Sequence, residues 1–189
     1  MAYNHRKSIR LKNYDYSRSG LYFITICANN GTSLFGYIDK NSMILNDAGK
    51  MIKKCYYELE DRFKTIKCHE MVIMPNHFHC IIEIVGVPLV GTQNNNSLNN
   101  HHSQTNGQPQ GIAPTVGDIV GAFKSITTNE YIYGVKLKNW QPFNKKLWQR
   151  NYWEHVIRNE ESYLKLLEYI KNNPQKWELD SLNPNKKPQ

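Results

Sequence analysis

The sequence predicts an α+β fold, in which a small and mainly antiparallel sheet is flanked by helices that lie on one side of it. Short β-branched and aromatic runs predict the strands, and helical apolar stripes predict the helices between and after them. With 189 residues and a hydrophobic content of 40%, the chain suits one core. We therefore expect a single domain over residues 1–178, followed by a polar tail over residues 179–189.

The predicted strands are separated by turn-forming residues. Pro75-Asn76 is a short turn that suits an antiparallel hairpin between two apolar segments. Residues 39–41 form the bend of a weaker hairpin. The expected strands or extended segments are Leu21–Cys27, two within Leu34–Leu45, Ile66–Met74, His77–Ile84 and Leu147–Ile157.

Three segments have the spacing of amphipathic helices. The first follows Asn46, a residue type that caps helices, and has an apolar stripe from Ile52 to Phe63. The second covers about residues 118–133. The last begins after Asn159, has acidic residues in its first turn, and ends before Pro174 because proline disfavours helical angles in the residue that precedes it.

The composition favours a polyanionic partner and a reducing compartment. Lys and Arg number 24 against 16 Asp and Glu, which gives a formal net charge of +8. The four cysteines include no CxxC pair, and the N-terminus has no apolar signal segment. The longest apolar stretch, residues 80–90, contains Glu83, Gly86 and Pro88. We expect a cytoplasmic protein without a membrane segment.

An Asn- and Gln-rich stretch interrupts the domain over about residues 88–114. It has almost no apolar side chain to bury, so we predict a flexible loop. His101 and His102 lie in this loop and are expected to be exposed rather than ligands of a metal.

His77 and His79 are the first candidates for chemistry. Because strand side chains alternate, both imidazoles share one face, with backbones about 6.5–7 Å apart. Two imidazoles at that distance can converge on one metal ion at about 2.0–2.2 Å each. We expect them to face solvent, with Phe78 and Cys80 on the core side. A pair of surface histidines on a half-exposed strand remains the alternative on spacing alone.

Three other motifs are weaker. Glu83 gives the His-x-His-xxx-Glu spacing of cupins, but a straight strand places it about 13 Å beyond His79, and the chain has too few strands for a cupin. The segment Gly117–Ser125 lacks the spacing and the Gly-Lys pair of a Walker motif. Cys68 and His69 have no second Cys/His pair at zinc-finger spacing.

Tyr169 and Asn173 are the second set of candidates. They are four residues apart at the end of the last predicted helix, so they project from the same side. That side is rotated by roughly 100° from the apolar stripe. Tyr169 can therefore reach a cleft, although tyrosines at the flank of a stripe usually only pack.

Three motifs in order resemble those of the REP-associated tyrosine transposases, which are single-tyrosine HUH transposases of bacteria. They are Met74-Pro-Asn-His-Phe-His79, the aromatic and basic segment Trp148–Arg158, and Tyr169-Ile-Lys-Asn-Asn-Pro174. The segments Arg6–Leu11, Tyr14-Asp-Tyr16 and Leu21–Ile26 also match the usual start of such proteins. The resemblance covers about residues 6–178 and implies an HUH, ferredoxin-like domain.

The resemblance also implies roles for individual residues. His77 and His79 match the metal-binding histidines, Asn173 matches a third metal ligand, and Tyr169 matches the nucleophile that forms a 5′-phosphotyrosine link. The implied cofactor is Mg²⁺ or Mn²⁺, which suits oxygen and imidazole ligands with open positions. The implied substrate is single-stranded or hairpin DNA, and the protein is expected to act as a monomer or a homodimer.

Basic and aromatic residues are the expected DNA contacts, because bases stack on aromatic rings and phosphates attract cations. They are Arg6, Lys7, Arg10, Lys124, Trp148, Arg150 and His155. A solvated tail is the alternative for the N-terminal residues, and a core position is the alternative for Tyr152 and Trp153. A second hypothesis for the whole protein is a domesticated hairpin-binding protein that has lost catalysis.

Overall fold

The computed structural model describes residues 15–85 and 114–186. Its strands, in chain order, are β1 (Gly20–Cys27), β2 (Gly36–Asp39), β3 (Ser42–Leu45), β4 (Ile66–Ile73), β5 (His77–Ile84) and β6 (Trp153–Ile157). Four of them form an antiparallel sheet in the order β4-β5-β1-β6, and β2 and β3 form a separate hairpin. The predicted α+β class with a mainly antiparallel sheet is confirmed.

The helices begin where local side chains cap them. They are α1 (Asp47–Tyr57), α2 (Leu59–Arg62), α3 (Val116–Leu137) and α4 (Glu160–Asn172), and a 3₁₀ helix, Pro174–Leu179, follows α4. Asn46 and Asn159 accept hydrogen bonds from the amides of Gly49 and Ser162, as the sequence predicted. Thr115 caps α3 through a capping box with Asp118, so this helix is longer than the predicted 118–133.

The two faces of the sheet pack against different helices. Tyr22, Ile24 and Ile26 of β1 lie in the main core with residues of α1 and α3. Phe23 faces the opposite side, where α4 contributes Ile170 to a second apolar cluster with Ile81 of β5. The prediction that all helices lie on one side of the sheet is therefore wrong. The alternation of side chains along a strand shows which residues share a face of the sheet, but it does not show which helix packs on that face.

The extended segment predicted over 147–157 is only partly a strand. Trp148 forms an isolated antiparallel bridge with Ala28, and regular pairing with β1 starts at Trp153.

Among the helices in residues 15–85 and 114–186, none combines the length and the apolar character needed to cross a bilayer. The predicted loop over 88–114 lies almost wholly outside the described residues.

Candidate active site

His77 and His79 lie on the face of β5 that α4 covers. Their side chains are 0% and 3% exposed, and their ring centroids are 4.6 Å apart. The predicted shared face is thus present, but the predicted exposure to solvent is wrong because α4 and the 3₁₀ helix cover this face. Trp177 of the 3₁₀ helix lies with its ring centroid 5.9 Å from that of His77.

A hydrogen-bond chain determines the tautomer of His77. The amide nitrogen of Asn76 donates to the backbone carbonyls of Gly31 and Leu182, at 3.0 and 2.8 Å. These two acceptors orient the amide, so its oxygen faces His77 Nδ1 at 2.8 Å. Because an amide oxygen only accepts, Nδ1 of His77 carries the proton. The lone pair of the ring therefore lies on Nε2, the atom that a metal would bind.

His79 is held by two residues of β1. Thr25 stands directly opposite it in the strand pairing, and the Thr25 hydroxyl lies 2.7 Å from Nδ1. Phe23 stacks on the imidazole with ring centroids 5.4 Å apart. These contacts direct Nε2 of His79 towards α4. Neither Thr25 nor Asn76 was identified from the sequence, although Asn76 lies within the motif that contains the histidines.

Burial keeps both histidines neutral. Loss of hydration lowers the pKa of His77 to about 4, and the nearby charge of Asp180 opposes this shift. Burial also holds the pKa of His79 well below its usual value, with a smaller contribution from His77. Neutral imidazoles are the form that coordinates metal ions.

Tyr169 of α4 meets the histidines from the other side of the site. Its hydroxyl lies 3.3 Å from Nε2 of His79, and its ring packs edge-on against those of His79 and Phe23. The residue as a whole is 41% exposed, so part of it is open to solvent. Burial, followed by the charge of Asp180, raises the pKa of the phenol, and a hydrogen bond with Asn173 opposes this rise.

Asn173 and His77 each present a buried polar atom without a hydrogen-bond partner, namely Oδ1 of Asn173 and Nε2 of His77. Native proteins seldom bury such atoms, so unpaired ones indicate a ligand or an ion. No group of three His, Cys, Asp or Glu side chains in the described ranges is arranged as a metal site. Two imidazole nitrogens and one amide oxygen nevertheless fit a divalent cation with open coordination positions.

Residues beyond 178 also contact the site, although the sequence placed them in a polar tail. Asp180 Oδ2 lies 3.7 Å from His77 Nε2, and the carbonyl of Leu182 accepts from Asn76. These residues show no helical or strand periodicity, so the sequence pattern could not assign them to the site.

Two of the predicted DNA contacts require correction. Trp148 is 4% exposed and belongs to the main core, where its indole nitrogen donates to Thr127, so its ring is not available to a base. The ammonium of Lys124 donates to the carbonyls of residues 149–151, and those bonds use the donors that a phosphate would need. Lys124 therefore holds the segment that leads into β6.

Arg150 and His155 are exposed, as the DNA-binding prediction requires. Arg6, Lys7 and Arg10 lie outside the described residues. Trp153 is 59% exposed and stands opposite Thr25 in the strand pairing, so it shares the face of Thr25 and His79. From the sequence alone, two roles remained open for Trp153, a DNA contact and a core residue.

We predict that Trp148→Phe destabilises the protein by about 1–3 kcal/mol, because it removes buried volume and the hydrogen bond with Thr127. Urea unfolding followed by circular dichroism measures this change. The exposed tryptophan is the control: Trp153→Phe should alter the free energy of unfolding by less than about 0.5 kcal/mol. Equal effects of the two substitutions would contradict the core assignment of Trp148.

The fold is that of a REP-associated tyrosine transposase. The chain is similar to the structure of such a transposase bound to a REP hairpin, with a TM-score of 0.53 and 19% sequence identity, over 88% of this chain and 73% of that chain. At this level of identity the similarity concerns the fold. It confirms the architecture that the resemblance in sequence implied.

The chain belongs to the family of an uncharacterized protein of Haemophilus influenzae. The two are 45% identical over 180 residues, which cover 95% of this chain and 93% of the relative. No model of a known protein family matches the chain.

Proposed function

We propose that the protein is a metal-dependent, transposase-like endonuclease and strand transferase. It cleaves and rejoins single-stranded DNA that carries a hairpin, through a 5′-phosphotyrosine intermediate. One observation carries the proposal: the Tyr169 hydroxyl lies 3.3 Å from His79 Nε2. Unpaired atoms of His77 and Asn173 accompany this contact. Both histidines lie on β5, Tyr169 lies on α4 and Asn173 caps the end of that helix, which supports the proposal.

Tyr169 would act as the nucleophile. Its oxygen attacks the scissile phosphorus, the bond from phosphorus to O3′ breaks, and the strand end leaves with a free 3′-hydroxyl. The phenol loses its proton, and the departing O3′ gains one. Attack of a 3′-hydroxyl on the phosphotyrosine reverses these steps and restores the phenol. One phosphodiester is exchanged for another, so rejoining needs no nucleotide cofactor.

Nε2 of His77, Nε2 of His79 and Oδ1 of Asn173 would hold Mg²⁺ or Mn²⁺. A bound divalent cation supplies polarisation of the scissile phosphate and orientation for in-line attack. The protein residues prepare this site in advance, because Asn76 and Thr25 orient the imidazoles and burial keeps both rings neutral.

The sheet face that carries Thr25 and His79 also carries exposed groups that suit a single strand. Trp153 offers a ring on which a base can stack, and His155 and Arg150 add polar and cationic groups along the same segment. The net charge of +8 favours the phosphate backbone. The neighbour of similar fold binds a REP hairpin, which supports a hairpin as the substrate here.

The test is the formation of a covalent adduct. The full chain is incubated with a single strand that carries a short palindrome and different labels at its 5′ and 3′ ends, either with Mn²⁺ or with EDTA, and the products are separated under denaturing conditions, where the adduct carries the 3′ label and the released fragment the 5′ label. A metal-dependent protein–DNA adduct and a free 3′-hydroxyl fragment are expected. Binding of the hairpin without any adduct would instead support a hairpin-binding protein that has lost catalysis.

A further inference from the structure

A half-buried ammonium lies behind the segment that leads into β6. It belongs to Lys124 of α3, and its Nζ lies 2.9, 3.3 and 3.1 Å from the carbonyl oxygens of Gln149, Arg150 and Asn151. An ammonium has three donors and no acceptor, so these three bonds use all of its hydrogen-bonding capacity. The same ammonium lies over the ring of Tyr152, 5.5 Å from its centroid.

The three carbonyls belong to a stretch that does not pair with the sheet. Trp148 forms an isolated bridge with β1, and regular pairing with β1 starts at Trp153. Residues 149–152, all of which the structure describes, belong to no strand. Backbone carbonyls that lose their partners cost free energy where water does not replace them. Lys124 therefore supplies to this stretch the bonds that a neighbouring strand would otherwise supply.

The same part of the chain carries exposed groups of the candidate DNA surface. Arg150 and Trp153 are exposed, and Trp153 lies on the sheet face of His79. The helix that carries Lys124 packs on the other face of the sheet, in the main core. Lys124 thus supports the stretch from behind and does not share the face on which a base would stack.

We propose that Lys124 is a positioning residue for DNA binding, which fixes the backbone of residues 150–155 and does not itself contact a phosphate. A segment that is already fixed loses less conformational freedom when a strand binds, so the complex forms at a smaller cost. Without the ammonium, Arg150 and Trp153 sample other orientations and DNA affinity falls. The inference rests on DNA binding in the proposed function, and not on cleavage.

The charge of Lys124 depends on pH in a range where most lysines stay charged. Burial lowers its pKa to about 8, and the nearby Cys27 of β1 opposes this shift. Burial, with a contribution from Asp180, raises the pKa of the Cys27 thiol, and Lys124 lowers it. The phenol of Tyr152 is the other titratable group in contact with the ammonium. Because the bonds need the charged form, their contribution to DNA affinity is complete well below pH 8 and is lost as the pH rises through about 8.

The test is the affinity of the full chain for a labelled DNA hairpin with a single-stranded extension, measured by fluorescence anisotropy in EDTA. Lys124→Met should weaken binding at pH 7 by about 10-fold. The slope of log K against log salt concentration should not change, because no phosphate contact is removed.

The pH profile separates positioning by charge from a loss of structure. The wild type should lose about fivefold in affinity between pH 7 and pH 9 relative to Lys124→Met, which has no ammonium to lose. Lys124→Arg keeps its charge over this range and should not show that loss.

Lys136→Met is the matched control, since Lys136 is an exposed lysine near the end of the same helix. It removes the same charge, and it should leave the affinity within about twofold and the pH profile as in the wild type. Urea unfolding at pH 7 and at pH 9 shows that each variant is folded under the conditions of the assay.

Two outcomes would overturn the positioning role and leave the proposed function standing. One is equal affinity of Lys124→Met and the wild type from pH 7 to pH 9. The other is a salt slope that falls by about one in Lys124→Met, since Lys124 would then contact a phosphate directly. A wild-type chain that does not bind the hairpin would overturn both this inference and the proposed substrate. Lys124-dependent binding without a covalent adduct would support this inference and contradict only the proposed cleavage.

Discussion

Replacement of Tyr169 by phenylalanine is expected to reduce the covalent DNA adduct by at least about 10³-fold, because it removes the attacking oxygen. The ring of phenylalanine can keep the edge-on contacts with Phe23 and His79. Affinity for the hairpin and the free energy of unfolding should therefore change little. Adduct formation is measured on denaturing gels, and affinity by fluorescence anisotropy.

The same helix offers a matched control for this substitution. Tyr163 is also on α4, and its hydroxyl donates to Glu70 at 3.0 Å, away from the two histidines. Tyr163→Phe removes the same atom from the same element and should retain adduct formation within about threefold. An adduct that persists in Tyr169→Phe, or disappears equally in both variants, would show that Tyr169 is not the nucleophile.

His77→Gln should weaken Mn²⁺ binding by at least about 100-fold and abolish the adduct, because it removes a nitrogen ligand that the fold orients in advance. The substitution also removes the donor that pairs with Asn76 Oδ1. With EDTA present, we expect a loss of about 1–3 kcal/mol in the free energy of unfolding. Calorimetric titration and urea unfolding measure the two effects separately.

His69→Gln is the control for this prediction. His69 lies on the neighbouring strand β4, and its Nε2 contacts Glu83 at 2.9 Å rather than the candidate site. Its replacement should leave Mn²⁺ affinity within about twofold. If His77→Gln binds Mn²⁺ as the wild type does, the two-histidine site is not the metal centre.

Glu83 illustrates what the spacing of residues can and cannot establish. It lies an even number of residues after His77 and His79, so a cupin-like ligand set that includes Glu83 was an alternative suggested by the spacing. In the structure Glu83 pairs with His69, and β5 does not carry it to the two histidines. The rise along an extended strand was sufficient to predict this separation.

The aromatic segment before α4 illustrates the opposite case. Trp148 and Trp153 have the same side chain and similar neighbours in the chain, yet one is 4% exposed and the other 59%. A bridge to Ala28 and packing against α3 place Trp148 in the core, whereas Trp153 begins the edge strand β6. These contacts are long-range, so no local pattern distinguishes the two residues.

The sequence by itself determined the fold class, the caps at Asn46 and Asn159, and the face shared by His77 and His79. The caps and the shared face depend on residues within a few positions, through hydrogen bonds from backbone amides to the capping side chains and through strand alternation. Only the tertiary structure decided that α4 covers that face and that Tyr169 lies beside His79. It also decided that Asp180 reaches His77. The physical reason is that burial and long-range contacts depend on which surfaces pack together, and periodicity along one element does not specify its partner.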